Sequence, residues 1–498
     1  MSEIKKMRAK LPGLAALQAA VLVFAVYLSM LPQIYTDANF GMDGGDLLGA
    51  VLTDGIPHPS GYPTYLLLGK IFQLLPWGTP YFKGALLSAV FASAAAGLTG
   101  LLAERIISDS VPYKARSAIT GGVGLLAGFS PLLWSQAVIV EVYALAVFFI
   151  LCGLWWMYFL LSETDGRKWR LIFPLSALVG LGFGNHLMLG MLAPGFLYAF
   201  ICSFREKHDR KNLIICALIG IVSALLPYTI LPLRSAAGPP INWGDPQTWD
   251  GFFWLVSGRL YQGLSFRIPI RELLARITYF FTLLREHFGI GGLLLGVYGA
   301  VQFSSSEWRF RWVLLYTFFI FPLFSIGYTT NDSVVYTIPA FIVFALWIGY
   351  GISEIWPSLA SRPKWQAATV AGLLFLLLII QLPGLYADLD PRSELQASQF
   401  AGNCLAALPE ESILFTDADA DTFPIWYYHF GLGKRADIKV ITTQLLQFDW
   451  YRRTLVETYP VLSALVSDGQ TTGFDLTSVE GRYPVCRTNY PAGTCDCD

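Results

Sequence analysis

The chain has 498 residues, 54% of them hydrophobic and 14% charged, against roughly 25% charged in an ordinary soluble domain. That shortage excludes water as its main solvent, and a net charge of −1 with no long basic run outside short loops excludes a nucleic-acid partner. Seven cysteines show no CxxC pairing of the metal-binding kind. Cys152, Cys202 and Cys216 lie in apolar stretches, while Cys404, Cys486, Cys495 and Cys497 lie in a polar tail, where disulfides form only if that tail is exported.

A spanning helix needs about 20 largely apolar residues. Eleven candidates, give or take two, follow in chain order: Leu14–Leu31, Phe82–Ala103, Ile119–Leu133, Val138–Leu161, Leu171–Gly184, Leu187–Phe204, Leu213–Leu231, Ile290–Phe303, Trp312–Tyr328, Val334–Ile352 and Ala367–Leu385. Lysine and arginine fall at alternate ends, at Lys5 to Lys10, Arg105 to Arg116, Arg167 to Arg170, Arg205 to Lys211, Arg309 and Arg311, and Arg362 and Lys364. By the positive-inside rule these ends are cytoplasmic. The amino terminus is then cytoplasmic and reads as a retained first helix rather than a cleaved signal. The expectation is a multi-pass plasma-membrane protein. Residues 1–385 form its membrane domain, with outward loops at 32–81 and 232–288, and residues 386–498 form an extracytoplasmic tail.

The first outward loop is rich in acid, with Asp37, Asp43, Asp46 and Asp54 beside His58. Asp43 and Asp46 are three apart and share a face if the segment is helical, with Gly44 and Gly45 admitting a ligand close to the backbone. His58 to Pro63 turns the chain, and Tyr62 to Trp77 reads as a helix lying in the interface. Taken alone, the loop also reads as a solvated, capped turn. The other outward ends hold Glu141 and Tyr143, Asn185 and His186, then Arg234, Asn242, Trp243 and Asp245, and Asn331 with Asp332. Each singly is equally an interfacial or snorkelling side chain, and Arg234 a headgroup contact. Together they describe an outward-facing polar pocket, because ionisable groups at membrane depth are expensive and usually serve a site.

The stretch MDGGDLLGAVLTDGIPHPSGYPTYLLLGK resembles the opening signature of a bacterial membrane protein family related to the protein O-mannosyltransferases, within the GT-C superfamily. Similar stretches are WSQAVIVEVYAL, GFGNHLML, LPLRSAAGPPINWGDPQTWDGFFWLVSG, ILFTDADADTFPIWYYHFGLGKRADIKVI and FDWYRR. There are departures: Asp46 stands where the family usually has Glu, Gly184 where it often has Thr, and the tail run Asp417-Ala418-Asp419-Ala420-Asp421 lacks the usual glycine. The resemblance implies an all-α polytopic fold of GT-C type with a small C-terminal α/β domain. It also implies transfer of a sugar, mannose favoured, from a polyprenyl-phosphate donor to a hydroxyl of an acceptor protein, lipid or wall polymer. Asp43 is then the expected base, with Asp46 its orienter or alternative. Arg234 is the expected donor to the leaving phosphate, and His186 assists the phosphate or positions the donor. His58, Tyr62, Glu141, Asn185, Asn242, Trp243 and Asp245 are further candidate substrate contacts. A single displacement inverts the anomeric centre. No metal is expected, although Asp43, Asp46 and Glu141 offer oxygen ligands for a divalent cation.

In the tail, Ser412–Thr416 and Asp437–Ile441 read as two short strands flanking a segment from Phe423 to Phe430. Asp417, Asp419 and Asp421 either bind a cation or sugar or cap the helix that follows. The closing CDCD is either disordered or pinned by a disulfide through Cys486, Cys495 or Cys497. Two other functions fit parts of the pattern: a transporter or flippase of lipid-linked sugar, and a noncatalytic sensor whose outer tail binds a partner.

Overall fold

The computed structural model of the chain describes residues 2–497 apart from 108–110, 163–165, 206–209, 304–307, 361–381 and 466–481. Helix α1 (Ser2–Leu28) leads into two short helices, α2 (Gly44–Leu52) and α3 (Pro63–Gln73), and then α4 (Pro80–Ile106). Helix α5 (Tyr113–Gly128) bends by 65° into α6 (Pro131–Ala137). Then follow α7 (Tyr143–Ser162), α8 (Trp169–Phe183), α9 (Ala193–Phe204), α10 (Arg210–Leu225), α11 (Ile230–Ser235), α12 (Trp249–Val256), α13 (Ile270–Gln302), α14 (Trp308–Gly327) and α15 (Ile338–Ala360). Among the described residues seven helices are long and apolar enough to cross a membrane, or eight if α5 and α6 form one span. The protein is therefore a multi-pass membrane protein.

The spans differ from the sequence expectation in three places. The expected first span is present as the shorter apolar helix Gly13–Leu28, which is not one of the seven. The expected fifth span, α8, has 15 residues with Pro174 inside, short of the length of a straight crossing. The expected eighth, Ile290–Phe303, is the second half of the 33-residue α13, which breaks at Gly289 (φ 63°). Its first half carries Arg271, Glu272, Arg276, Arg285 and Glu286, so its apolar residues form a stripe rather than a continuous run. The expected eleventh span falls almost wholly outside the described residues.

Burial separates centre from rim. The most apolar stretch of Ser333–Trp356 is entirely covered by protein, whereas only 17% of that in Arg210–Ser235 is, leaving the latter to face lipid. Helices α13 and α15 cross closely because Gly299 sits against the Trp347 carbonyl, where a methyl group would overlap it.

Polar segments between helices meet at one end of the bundle. Tyr81 donates to the Thr36 carbonyl at 3.0 Å and Gln136 to the Asn39 carbonyl at 2.9 Å. Asn185 donates to Val142 at 3.2 Å. Ile56 pairs with Asn242 in an isolated bridge. The tail docks on this same end: Thr36 donates to Glu394 at 2.9 Å, Tyr490 to Asp37 at 2.6 Å and Arg453 to Asp245 at 3.0 Å.

The tail contains a four-stranded sheet in the order β2-β1-β3-β4, with β1 (Ile413–Thr416), β2 (Lys439–Thr442), β3 (Val485–Asn489) and β4 (Thr494–Cys497). β1 is parallel to both β2 and β3, and β3 is antiparallel to β4. The helix Asp419–Trp426 crosses from β1 to β2, so its first turn lies beyond the carboxyl end of β1. Disulfides Cys404–Cys495 and Cys486–Cys497 pin the last strand, so of the two expectations for the closing CDCD the disulfide holds. The first closes a separation of 91 residues. Loss of that bond by Cys404→Ser with Cys495→Ser is expected to cost about 2–5 kcal/mol of tail stability, seen as a lowered midpoint in thermal unfolding without reductant, which reductant lowers further by opening the remaining Cys486–Cys497 bond.

The pair Gly44-Gly45 admits a close approach, but by the tail rather than by a ligand. A methyl group on Gly45 would overlap the main-chain carbonyl of Phe423. Gly45→Ala is therefore expected to lift the tail from the membrane domain, read as faster protease cleavage after Leu385 with the spans intact.

Candidate active site

A cavity of about 650 Å³ opens between the polar segments and the tail. Asp43, His58 and Tyr62 line it from the first loop, Tyr143 and His186 from the starts of α7 and the turn before α9, Tyr261 from the segment after α12, Asp332 and Tyr336 from before α15, and Asp419 from the tail. No lysine or arginine is among these lining residues.

The first loop is folded around Asp46. It sits in the first turn of α2 and is fully buried. Its carboxylate accepts the His58 main-chain N–H at 2.9 Å, His58 Nδ1 at 2.7 Å and Trp243 Nε1 at 3.0 Å. Three donors on a buried carboxylate fix its position. The turn from His58 closes through Gly61 (φ 82°) and Tyr62 (φ 41°), both left-handed. This turn brings the Tyr62 hydroxyl to His58 Nε2 at 2.9 Å. The same Nε2 faces the Asp43 carboxylate at 3.6 Å. The result is a relay in which buried Asp46 orients His58, and His58 addresses Asp43 on the cavity wall.

Charges follow from that geometry. Burial alone would lower His58, but the charge of Asp43 and the hydrogen bond that the ring donates to Asp46 outweigh it and lift the imidazole to about 9. Asp43 keeps 36% of its side chain exposed, towards a cavity rather than open water. Its enclosure raises the carboxyl, the His58 charge opposes this, Asp332 and Asp419 add to the rise, and it settles at about 7. At neutral pH the site thus holds a cationic His58 beside a carboxylate poised to take a proton.

His186 behaves oppositely. Its Nδ1 accepts the Met188 N–H at 3.0 Å, and burial holds the ring down to about 3, so it is neutral. Its ring stacks on Tyr62 at 5.8 Å and packs on Tyr143 at 5.3 Å.

Of the residues expected from sequence, Asp43, His58, Tyr62 and His186 line the cavity, while Asp46 and Trp243 lie directly behind it. Trp243 packs against Trp426 and Trp450 of the tail at 6.2 and 5.6 Å. Arg234 does not line the cavity: it donates to the Gly55 carbonyl at 3.1 Å and faces Asp54 at 3.6 Å. The bridge between Ile56 and Asn242 draws the 54–56 turn over α11, and Arg234 braces that turn. Asp245 is likewise structural, accepting from Ser235 at 2.8 Å and from Arg453. Glu141 is buried and its carboxylate accepts from Val142 N–H at 2.9 Å. Asn185 and Asn242 are buried off the cavity. Among the described residues no three His, Cys, Asp or Glu side chains converge as a metal set. Asp43, Asp46 and Glu141, the oxygen ligands the sequence offered, are not assembled as a set, and Asp46 is committed to its three donors.

Several wall residues had weak sequence signals. Of the three tail aspartates, Asp421 caps the helix by accepting from Asp417 and Ala418 N–H at 3.0 and 2.7 Å. Asp419 lines the cavity instead. Asp332 accepts from the Tyr143 hydroxyl at 2.7 Å. Arg276, from the amphipathic half of α13, donates to the Tyr328 carbonyl at 2.6 Å. It lines a second cavity of about 270 Å³ that meets the first at Phe40, Thr330 and Asn331.

Two family descriptions match the chain: the protein O-mannosyl-transferase TMEM260 N-terminal domain over residues 43–212, and TMEM260-associated domain 2 over residues 397–464. The chain is similar to protein O-mannosyl-transferase TMEM260 of Mus musculus, 24% identical over 480 residues covering 88% of this chain, and to its Dictyostelium discoideum counterpart, 23% identical over 83%. It spans 64% and 56% of the length of these relatives. Among solved structures it resembles ArnT from Cupriavidus metallidurans bound to undecaprenyl phosphate, with a TM-score of 0.56, 12% identity and coverage of 95% of this chain and 92% of that one. It also resembles the Archaeoglobus fulgidus oligosaccharyltransferase in its apo form, with a TM-score of 0.54, 13% identity and coverage of 89% and 68%.

Proposed function

We propose that the chain, which is similar to the protein O-mannosyl-transferases and shares the fold of the GT-C structures named above, transfers a sugar, mannose favoured, from a polyprenyl-phosphate donor to a hydroxyl acceptor on the extracytoplasmic side. The observation that carries this reading is Asp43, a carboxylate facing the cavity, held at about 7 and backed by the His58–Asp46 relay. The relatives' printed activity and the undecaprenyl phosphate bound by the structural neighbour support it. The tail disulfides, which suit an oxidising compartment, and the alternating basic ends support the outward orientation.

In this reading the acceptor hydroxyl approaches Asp43 within hydrogen-bond reach. Its oxygen attacks the anomeric carbon as the proton passes to Asp43. The carbon–oxygen bond to phosphate breaks, and its electron pair leaves with the polyprenyl phosphate. One displacement inverts the anomeric centre. The charge that develops on the phosphate needs cations close by, and His58 on the wall of the first cavity and Arg276 on that of the second supply them in place of Arg234. The acceptor is a protein by kinship with the relatives, with lipid or wall polymer as the other classes that present a hydroxyl.

The test is transfer of labelled sugar from a panel of polyprenyl-phosphate sugars in proteoliposomes, with donor and product anomers compared by NMR. Transfer with inversion is expected. Retention of configuration would overturn the single displacement, and movement of the intact lipid-linked sugar across the bilayer without transfer would make the protein a flippase.

A further inference from the structure

The wall beside the His58 relay, on the far face of Tyr62, is built differently, and nothing in the proton transfer above uses it. His186 is 8% exposed. Because its Nδ1 accepts from Met188, its proton sits on Nε2. That N–H faces the cavity and has no hydrogen-bond partner among the described residues. The ring is held by Tyr62 on one face, by Tyr143, and by the edge of Tyr336 at 5.8 Å. Tyr143 in turn donates to one oxygen of Asp332, which leaves the other oxygen as an acceptor at the same wall.

A fixed neutral donor beside a carboxylate acceptor, framed by aromatic rings, is poorly suited to an anion, which Asp332 would repel. It suits neighbouring hydroxyls of a neutral sugar, one accepting from His186 and one donating to Asp332, with the ring faces covering carbon-bound hydrogens. We propose that His186 and Asp332 form the subsite that reads two neighbouring hydroxyls of the donor sugar, so that the sugar lies against this wall and the phosphate points towards Arg276. This assignment rests on the transferase reading of the cavity. It makes His186 a specificity residue rather than a phosphate ligand.

The test is binding, followed by tryptophan fluorescence, of polyprenyl-phosphate mannose against bare polyprenyl phosphate in proteoliposomes. Wild type, His186→Gln and His186→Phe are compared, with transfer assayed in parallel. Wild type is expected to favour the sugar-bearing lipid by about tenfold, the worth of one or two neutral hydrogen bonds. His186→Phe should lose most of that preference, keeping only what Asp332 supplies, while binding the bare lipid as before, and His186→Gln, which keeps an N–H, should recover part of it. Equal weakening towards both lipids, or no change in either, would overturn the assignment. As a check that needs no variant, wild type should lose the preference only for monodeoxy sugars altered at one or two adjacent positions; equal losses at every position would also overturn it. A sugar preference that depends on His186 without any transfer would uphold the subsite and defeat the transferase reading, so the two fail separately.

Discussion

Asp43→Asn is expected to lower kcat for sugar transfer by about 10²–10⁴-fold, the usual worth of a positioned general base, with the donor KM changed little. The substitution keeps volume and one hydrogen-bonding oxygen but cannot take the acceptor proton. The residue lies immediately before α2, where it faces both the cavity and His58 Nε2. Asp46 offers no substitute, because it is fully buried and already holds three donors. A loss in KM with kcat preserved would move Asp43 from proton transfer to ground-state binding.

Asp46→Ala is expected to destabilise the fold by about 3–5 kcal/mol, because it strips the partner from a buried imidazolium and orphans the Trp243 indole N–H. The damage should not stop at the loop. Trp243 also meets Trp426 and Trp450 of the tail, so tail and membrane domain should loosen together in thermal unfolding. The milder Asp46→Asn keeps an acceptor but removes the charge that helps hold His58 protonated. The His58 limb of the activity profile should therefore move to lower pH. An unchanged midpoint in Asp46→Ala would show that Asp46 does not brace the site.

How legible the site was depended on what kind of signal each residue left. Spans announced themselves through long apolar runs, and they failed where one helix was amphipathic, in the first half of α13, or interrupted by proline, in α8. Asp43, His58 and Tyr62 were readable because a short loop carried unusual density of chemistry. Arg234 misled because a cation near outward residues resembles a phosphate ligand until the Ile56–Asn242 bridge is seen to fold Asp54 and Gly55 onto it. The sequence suggests a ligand approaching Gly45, whereas the group that approaches it is the Phe423 carbonyl, nearly four hundred positions away in the chain. Asp419 could not be told from Asp417 and Asp421 by type or spacing; only the docking of the tail turns one of the three into the cavity. Arg276 and Asp332 lie on separate elements whose convergence is a property of the bundle, not of any local pattern.

The most direct measurement of the central claim is the pH profile of kcat/KM for sugar transfer by wild type and Asp43→Asn. Below about 7 Asp43 is protonated and cannot accept the hydroxyl proton, so activity should rise as pH climbs through that value. Above about 9 His58 loses the charge that steadies the phosphate, so activity should fall. A bell with limbs near 7 and 9, whose rising limb disappears from the residual activity of Asp43→Asn, is the predicted result. A rising limb that survives unchanged in Asp43→Asn would contradict the account, since another group would then be taking the proton.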